Sequence, residues 1–273
     1  MPAELLERDA TGEIGAIYAE LRHLCAVPYV SSMQRHLATR AGWLPWAWAA
    51  LRPVFASGRA QTAAWRAAAG VAVPPLAPIS RDALRVWGVD AAAEAGIAAA
   101  CESFVRVSPV NLVFSGLLRR LLNGEQPGGD GETASAWAPP APLPALPPMA
   151  DMAALPPAER AVLASLATTM GDQPFVPGLY RMLAGWPAFL AHVATVLRPY
   201  LDHPETRAAF ARLGEAVEVE IPAVFAALPR LPERPPMPPE ADRPGVVAAL
   251  DTYKVTSPQL LVFGRMLREA LPR

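Results

Sequence analysis

Two stretches of this chain enter a helix directly through a Val-Pro step. They are Val27-Pro28-Tyr29-Val30-Ser31-Ser32-Met33-Gln34-Arg35 and Val176-Pro177-Gly178-Leu179-Tyr180-Arg181. A short helix that follows a proline presents backbone amides with no partner inside the helix, and such amides favour a carboxylate or a developing anion. Two ends of this kind brought together would make a pocket for a small acid. Other reactive constellations are missing from the sequence. It has no glycine-rich phosphate loop, no His-Glu-x-x-His, no Cys-x-x-Cys, no Asp-rich helix for magnesium and no Gly-x-Ser-x-Gly elbow. The usual nucleotide, zinc, thiol and serine-hydrolase chemistries therefore have no foothold. His23, His36, His192 and His203 include no pair three or four residues apart, so neither a metal nor a cofactor is expected. Cys25 and Cys101 are far apart in sequence and read as buried, reduced thiols.

The elements that would position such a pocket are written twice. Arg35-His36-Leu37-Ala38 through Leu51-Arg52-Pro53 returns without a gap as Arg181-Met182-Leu183-Ala184 through Leu197-Arg198-Pro199, at an offset of 146 residues. Val107-Ser108-Pro109 with Leu112-Val113-Phe114 returns as Thr256-Ser257-Pro258 with Leu261-Val262-Phe263, at an offset of 149. Two copies are too few for a solenoid and point to an internal pseudo-dimer. The expected organisation is a first helical repeat over 1–122, a linker over 123–156 and a second repeat over 157–273.

Strand signals are scarce, whereas Ala, Leu, Arg and Glu recur at helical spacing, so the expected class is all-α. Ile14, Ile17, Tyr18, Leu21 and Leu24 line one face of a helix that opens at Gly12 and stops before Pro28. Further helices are expected near 30–39, 44–70 with a break or kink at Pro53, 90–104 and 109–122. The second half reads as helices near 157–170, 177–184, 187–201, 204–228, 243–253 and 258–271. Trp43, Trp46, Trp48, Trp186 and Phe189 read as core or inter-half packing. Arg52 and Arg198 read as caps for carbonyls freed by Pro53 and Pro199. The linker is glycine-rich at 127–131 and proline-rich at 139–148, flexible and then extended along the surface; Glu233–Pro239 is a second proline-rich loop.

Composition bounds the partners. With 52% hydrophobic and 18% charged residues the chain can fill a sizeable core. A net charge of −1 provides no footprint for nucleic acid or an anionic membrane surface. The first residues lack a signal peptide's basic start and apolar core, and no apolar run reads as a membrane span, so a cytoplasmic setting is expected.

The doubled organisation, the Val-Pro entries, the Arg-x-Leu-Ala to Leu-Arg-Pro segment of each half and the Ser-Pro to Leu-Val-Phe closing helices resemble the group I 2-haloacid dehalogenases. The resemblance covers most of the chain outside the linker. It implies a pseudo-dimeric helical fold. It also implies hydrolysis of the carbon–halogen bond of small 2-haloacids by a water that an aspartate of the second half activates, without a covalent enzyme intermediate. The matching positions are Gly178-Leu179-Tyr180, so Leu179 stands where that aspartate belongs, and Asp172 is the nearest substitute in sequence. The same comparison nominates Met33, Asn111, Gly178, Leu179, Tyr180 and Tyr253 as binding residues, with Ser32 and His36 facing the same region. Asn111 would orient the ligand carboxylate. The expected partner is a small 2-substituted carboxylic acid, and a homodimer is left open. Two readings follow. One is a dehalogenase that uses a replacement base; the other is a helical protein that binds a small carboxylate or apolar ligand without turning it over.

Overall fold

The computed structural model describes residues 3–129, 137–230 and 238–272. Asp130 and Gly131 of the linker, and Glu233 to Met237 of the second proline-rich loop, lie outside the described residues. The fold is mostly helical. Its eleven described α-helices are α1 (Gly12–Cys25), α2 (Ser32–Leu37), α3 (Trp43–Ala56), α4 (Arg59–Ala69), α5 (Arg81–Val86), α6 (Ala91–Leu122), α7 (Pro157–Ala164), α8 (Gly178–Leu183), α9 (Pro187–Leu201), α10 (Pro204–Ala226) and α11 (Arg243–Ala270). One antiparallel hairpin, β1 (Thr168–Met170) with β2 (Gln173–Phe175), separates α7 from α8.

The central feature is the packing of α6 along α11. A Cβ on Gly264 of α11 would sit 3.2 Å from both the Cys101 carbonyl oxygen and Val105 Cγ2 of α6, so the missing side chain is what lets the two helices approach so closely. Helices α4 and α10 cover this pair, and α1 packs on α3 at one side. Trp43, Phe55, Phe114, Phe189 and Phe263 are fully buried in the resulting core, each contributing roughly 1.5–3 kcal/mol of apolar burial. By length and composition α6 could cross a membrane, contrary to the expectation that no run is long enough. However, 78% of its apolar window is buried inside the protein, as in a core helix.

Several boundaries differ from the sequence expectation. Residues 91–122 form one helix through Pro109 and 243–270 form one helix through Pro258, where breaks were expected. Each proline removes one amide from the ladder. Both helices are nonetheless held by their neighbours: Ser108, Pro109, Ser257 and Pro258 are all buried, and α6 and α11 pack along each other. Similarly, α3 runs through Pro53, and the break with α4 falls at Gly58, whose φ of +73° suits glycine. Arg52 pairs with Glu20 at 2.7 Å and Arg198 donates to the Ser165 carbonyl at 2.8 Å, so neither caps a carbonyl freed by proline.

The expected helix over 157–170 stops at Ala164. Gly171 at φ +61° and Asp172 then make the two-residue turn of the hairpin, a geometry that needs positive φ at its first position. Thr252 of α11 donates to the Thr169 carbonyl at 2.9 Å and ties the hairpin down. The described part of the 123–156 segment crosses the molecule without regular structure over 137–151. Arg106 of α6 donates to the Ala141 carbonyl, and the Ala150 amide donates to the Arg181 carbonyl of α8.

Candidate functional site

A closed cavity of about 10 Å³, room for the centre of about one water, lies where α2, α6, α8, α11, β2 and the 137–156 segment converge. Its walls include Ser31 and Ser32, Tyr29 and Phe104, Asn111 and Leu260, Gly178, Tyr253 and Thr256, with Met149 and Phe175 closing it. Local sequence explains how each arrives. The turn after α1 begins at Ala26, in the left-handed region at φ +52°, and delivers Tyr29 and Ser31 ahead of α2. Asn111 and Leu260 each stand two residues after the proline inside a long helix, and Phe104 and Tyr253 also stand 149 residues apart. Ser32 and Gly178 are the first residues of α2 and α8, at the offset of 146. The hairpin places Phe175 against Tyr253, ring centres 6.1 Å apart.

The cavity is uncharged and mostly apolar, with a few polar groups on its wall. The Asn111 amide nitrogen donates to Ser31 Oγ at 2.8 Å, and the Gln34 amide donates to Asn111 Oδ1 at 3.4 Å. Both partners come from the α2 entry. The Tyr29 hydroxyl is buried with no hydrogen-bond partner. Burial raises the pKa of Tyr29 and of Tyr253 above the ordinary value of 10.0; for Tyr253, Glu4 adds to this while hydrogen bonds with Ser32 and Ser31 oppose it. Both phenols are therefore neutral donors at ordinary pH.

Of the residues nominated from the sequence, Asn111, Gly178 and Tyr253 line this cavity together with Ser32. Met33, Leu179 and Tyr180 do not line it. Met33 and Leu179 are fully buried side chains at equivalent positions of α2 and α8. Asp172 is exposed in the hairpin turn, with Gln173 as its hydrogen-bond partner, and does not reach the cavity. A turn geometry of Gly then Asp leaves that carboxylate pointing into solvent. His36 lies beside the N-terminal segment instead: its Nδ1 is 3.0 Å from the Ala3 carbonyl, and Arg40 donates to its Nε2 at 2.8 Å. Among the described residues lining the cavity there is no carboxylate. Among the described residues, no three His, Cys, Asp or Glu come together as metal ligands.

Beside the cavity, with Met149 as the shared wall, lies an open cleft of about 420 Å³ lined by Glu4, Arg35, Asp151 and Arg181 among others. A Cβ on Gly178 would meet Met149 Cε at 3.1 Å and Phe104 Cζ at 3.1 Å, so the bare glycine makes room for the methionine. The arginines went unnoticed as site residues, although their identical place in the two repeated segments was a signal that could have found them.

No family model matches the chain, and no curated protein matches it. Solved structures do. A D-2-haloacid dehalogenase mutant superposes with a TM-score of 0.76 at 19% identity, over 99% of this chain and 96% of that one. The chain has the dehalogenase fold. A complex of a D-2-haloacid dehalogenase mutant with D-2-CPA gives 0.74 at 20% identity over 99% and 96%. A D-2-haloacid dehalogenase complex with L-LA gives 0.74 at 21% identity over 99% and 97%. Coverage from end to end means that the α6–α11 pair, the hairpin and the α8 entry are all parts of one dehalogenase-like architecture rather than a shared fragment.

Proposed function

We propose that this chain binds a small 2-substituted carboxylic acid in the cavity between α2, α6, α8 and α11, and that it does not hydrolyse it. The observation that carries this reading is the composition of the cavity wall. An amide, two serine hydroxyls and two neutral phenols offer hydrogen bonds to a carboxylate, while Leu179, the position at which the family resemblance puts the base, is a fully buried core side chain. A water can be activated for attack on carbon only by a base within hydrogen-bond reach, and Asp172 is turned into solvent. The dehalogenase complexes with D-2-CPA and L-LA support a small carboxylic acid as the ligand class.

On this reading the halves 1–122 and 157–273 form a pseudo-dimer joined by 123–156, and the ligand sits at its centre. The pairs Ser32/Gly178, Phe104/Tyr253 and Asn111/Leu260, which stand at the two repeat offsets and share one cavity, support that organisation. A space of about 10 Å³ holds no acid, so binding requires Met149 to swing toward the cleft. An unbranched thioether with three rotatable bonds suits that movement.

The test is incubation with each enantiomer of 2-chloropropionate, following chloride release and, in parallel, heat of binding. Saturable binding without chloride is expected. Catalytic chloride release from either enantiomer would overturn this reading in favour of a hydrolase with an unrecognised base, and Asp172→Asn would then show whether that base is Asp172.

A further inference from the structure

The repeated segments share one charged position that the cavity does not use. Arg35 of α2 and Arg181 of α8 are the same residue of the two copies, and both side chains are more than nine-tenths buried. They converge on one carboxylate. Arg35 Nη2 lies 2.8 Å from Glu4 Oε2, and Arg181 Nη1 lies 3.6 Å from Glu4 Oε1. Glu4 comes from the segment that precedes α1, which is tied down by the Leu5 amide donating to the Arg35 carbonyl and by the Tyr18 hydroxyl donating to the Leu5 carbonyl.

The fit of this carboxylate is incomplete. Arg35 Nη2 also contacts Ser32 Oγ at 3.0 Å and Met149 Sδ at 3.4 Å, and Arg181 Nε donates to the Ala150 carbonyl at 3.1 Å. Arg35 Nε and Arg181 Nη1 remain buried without a hydrogen-bond partner. Two guanidiniums face one carboxylate, and of the other charged groups lining the cleft Glu7 is paired with Arg22, Arg8 with Asp9, and Asp151 stands exposed at the rim. Burial pulls the Arg181 pKa down from its ordinary value, with Glu4 opposing and Arg35 reinforcing the shift. Buried, under-satisfied guanidinium donors at the back of an open 420 Å³ cleft are what a planar two-oxygen anion satisfies, because it accepts two parallel hydrogen bonds from one fork.

We propose that Arg35 and Arg181 form a carboxylate-binding site in this cleft, that Glu4 is its built-in occupant, and that a free small carboxylate binds there by displacing Glu4. This site adjoins the cavity, with Met149 as the shared wall, and the variants below tell the two apart. An intramolecular occupant lowers the apparent affinity of the competing ligand by the fraction of time that the site is free. Removing the charge of Glu4 therefore strengthens external binding.

Acetate is the probe, titrated by calorimetry into the full chain, into Glu4→Gln and into Glu4→Gln/Arg181→Gln at constant ionic strength. Glu4→Gln is expected to bind acetate about tenfold or more tighter than the parent. The double variant is expected to lose that gain. An unchanged or weaker affinity in Glu4→Gln, or a gain that survives Arg181→Gln, overturns the proposal. If Glu4→Gln melts below the assay temperature, its unfolding temperature is compared in sodium acetate and in sodium chloride of equal concentration. A rise specific to acetate supports the site, and equal melting in both salts rules it out. The two readings are told apart by residue: binding lost only in Asn111→Ala belongs to the closed cavity, and binding lost only in Arg181→Gln belongs to the arginine pair.

Discussion

Helices α2 and α8 occupy the same place in the two repeated segments, and they have divided their residues differently. Both are six residues long, each comes after a Val-Pro step, α8 directly and α2 three residues later, and each carries as its fourth residue a buried arginine that reaches for Glu4. Their second residues, Met33 and Leu179, are both core side chains. The difference lies in the rest. The α2 entry brings Ser31, Ser32 and Gln34 to the cavity and its Asn111 network, whereas the α8 entry brings only the bare backbone of Gly178, beside Pro177 and the buried ring of Tyr180. Polar groups lie on the α2 side of the cavity, and on the α8 side the space goes to Met149. Under the proposed pseudo-dimer, both halves keep the charged anchor while the pocket chemistry is one-sided.

The arginines are the place where that likeness breaks first. Arg35 makes the closer contact with Glu4 and the added bond to Ser32, whereas Arg181 reaches Glu4 only at 3.6 Å. Arg35→Met leaves the buried Glu4 without its near partner and is expected to cost about 3–5 kcal/mol. Arg181→Met keeps the close pair and loses mainly the donation to Ala150, at about 1–2 kcal/mol. Urea midpoints of the two variants, measured at one pH, check this. Equal losses would show that Glu4 is shared evenly and that the helices are not distinguished by their arginines.

A smaller effect sharpens the difference at the cavity. Asn111→Ala strands the Gln34 amide and Ser31 Oγ, both buried, and is expected to destabilise by about 1–3 kcal/mol. The same variant should weaken binding of a 2-substituted acid by about tenfold or more, the loss of one good hydrogen bond to a charged oxygen. Its repeat counterpart Leu260 carries no polar group, so Leu260→Ala should change stability without a comparable loss of acid affinity, as read by calorimetry. If Leu260→Ala weakens binding as much as Asn111→Ala does, the polar half of the cavity is not what recognises the acid.

How much of this was legible in the sequence depended on the range of the interaction that decides each feature. Helical spacing is local, and the order from α1 to α11 follows from it apart from α5. The Val-Pro entries and the Ser-Pro helices are also local, whereas Asn111, Gly178 and Tyr253, which share one cavity, were nominated by the family resemblance. Local rules fail where a long-range contact overrides them. Pro109 and Pro258 do not end their helices, because each is buried within a long helix of the packed α6–α11 pair. The strands at 168–175 are three residues long, too short for an alternating pattern to show, and only the Gly171-Asp172 turn announces them. Glu4, Arg35 and Met149 are separated by 31 and 114 residues, and no periodicity connects positions that far apart. Leu179 was legible as a departure, but its burial at the counterpart position of Met33 was not.

The mildest test asks whether the two sides of the molecule come apart together. Tyr18 and Tyr29 belong to the first side and Tyr180 and Tyr253 to the second, and burial raises all four above the ordinary phenol value of 10.0. Cys25 and Cys101 are likewise pushed up to about 12 from 9.0 by burial. A group whose folded pKa is raised contributes its stability fully below its unfolded value and loses it as pH rises toward the folded one. Below pH 9 these groups therefore contribute a constant stability, and a thiol reagent at pH 8 should label neither cysteine while the protein is folded. Above pH 9 to 10 the unfolded chain releases protons that the folded chain keeps, so stability falls with rising pH. In Tyr200→Phe, which removes the one tyrosine of the chain outside these four, tyrosinate absorbance at 295 nm is expected to rise together with the loss of helical circular dichroism, in one transition. An earlier tyrosinate step that leaves helicity intact would mean that one side opens alone, and the α6–α11 pair would then not bind both halves into a single cooperative core.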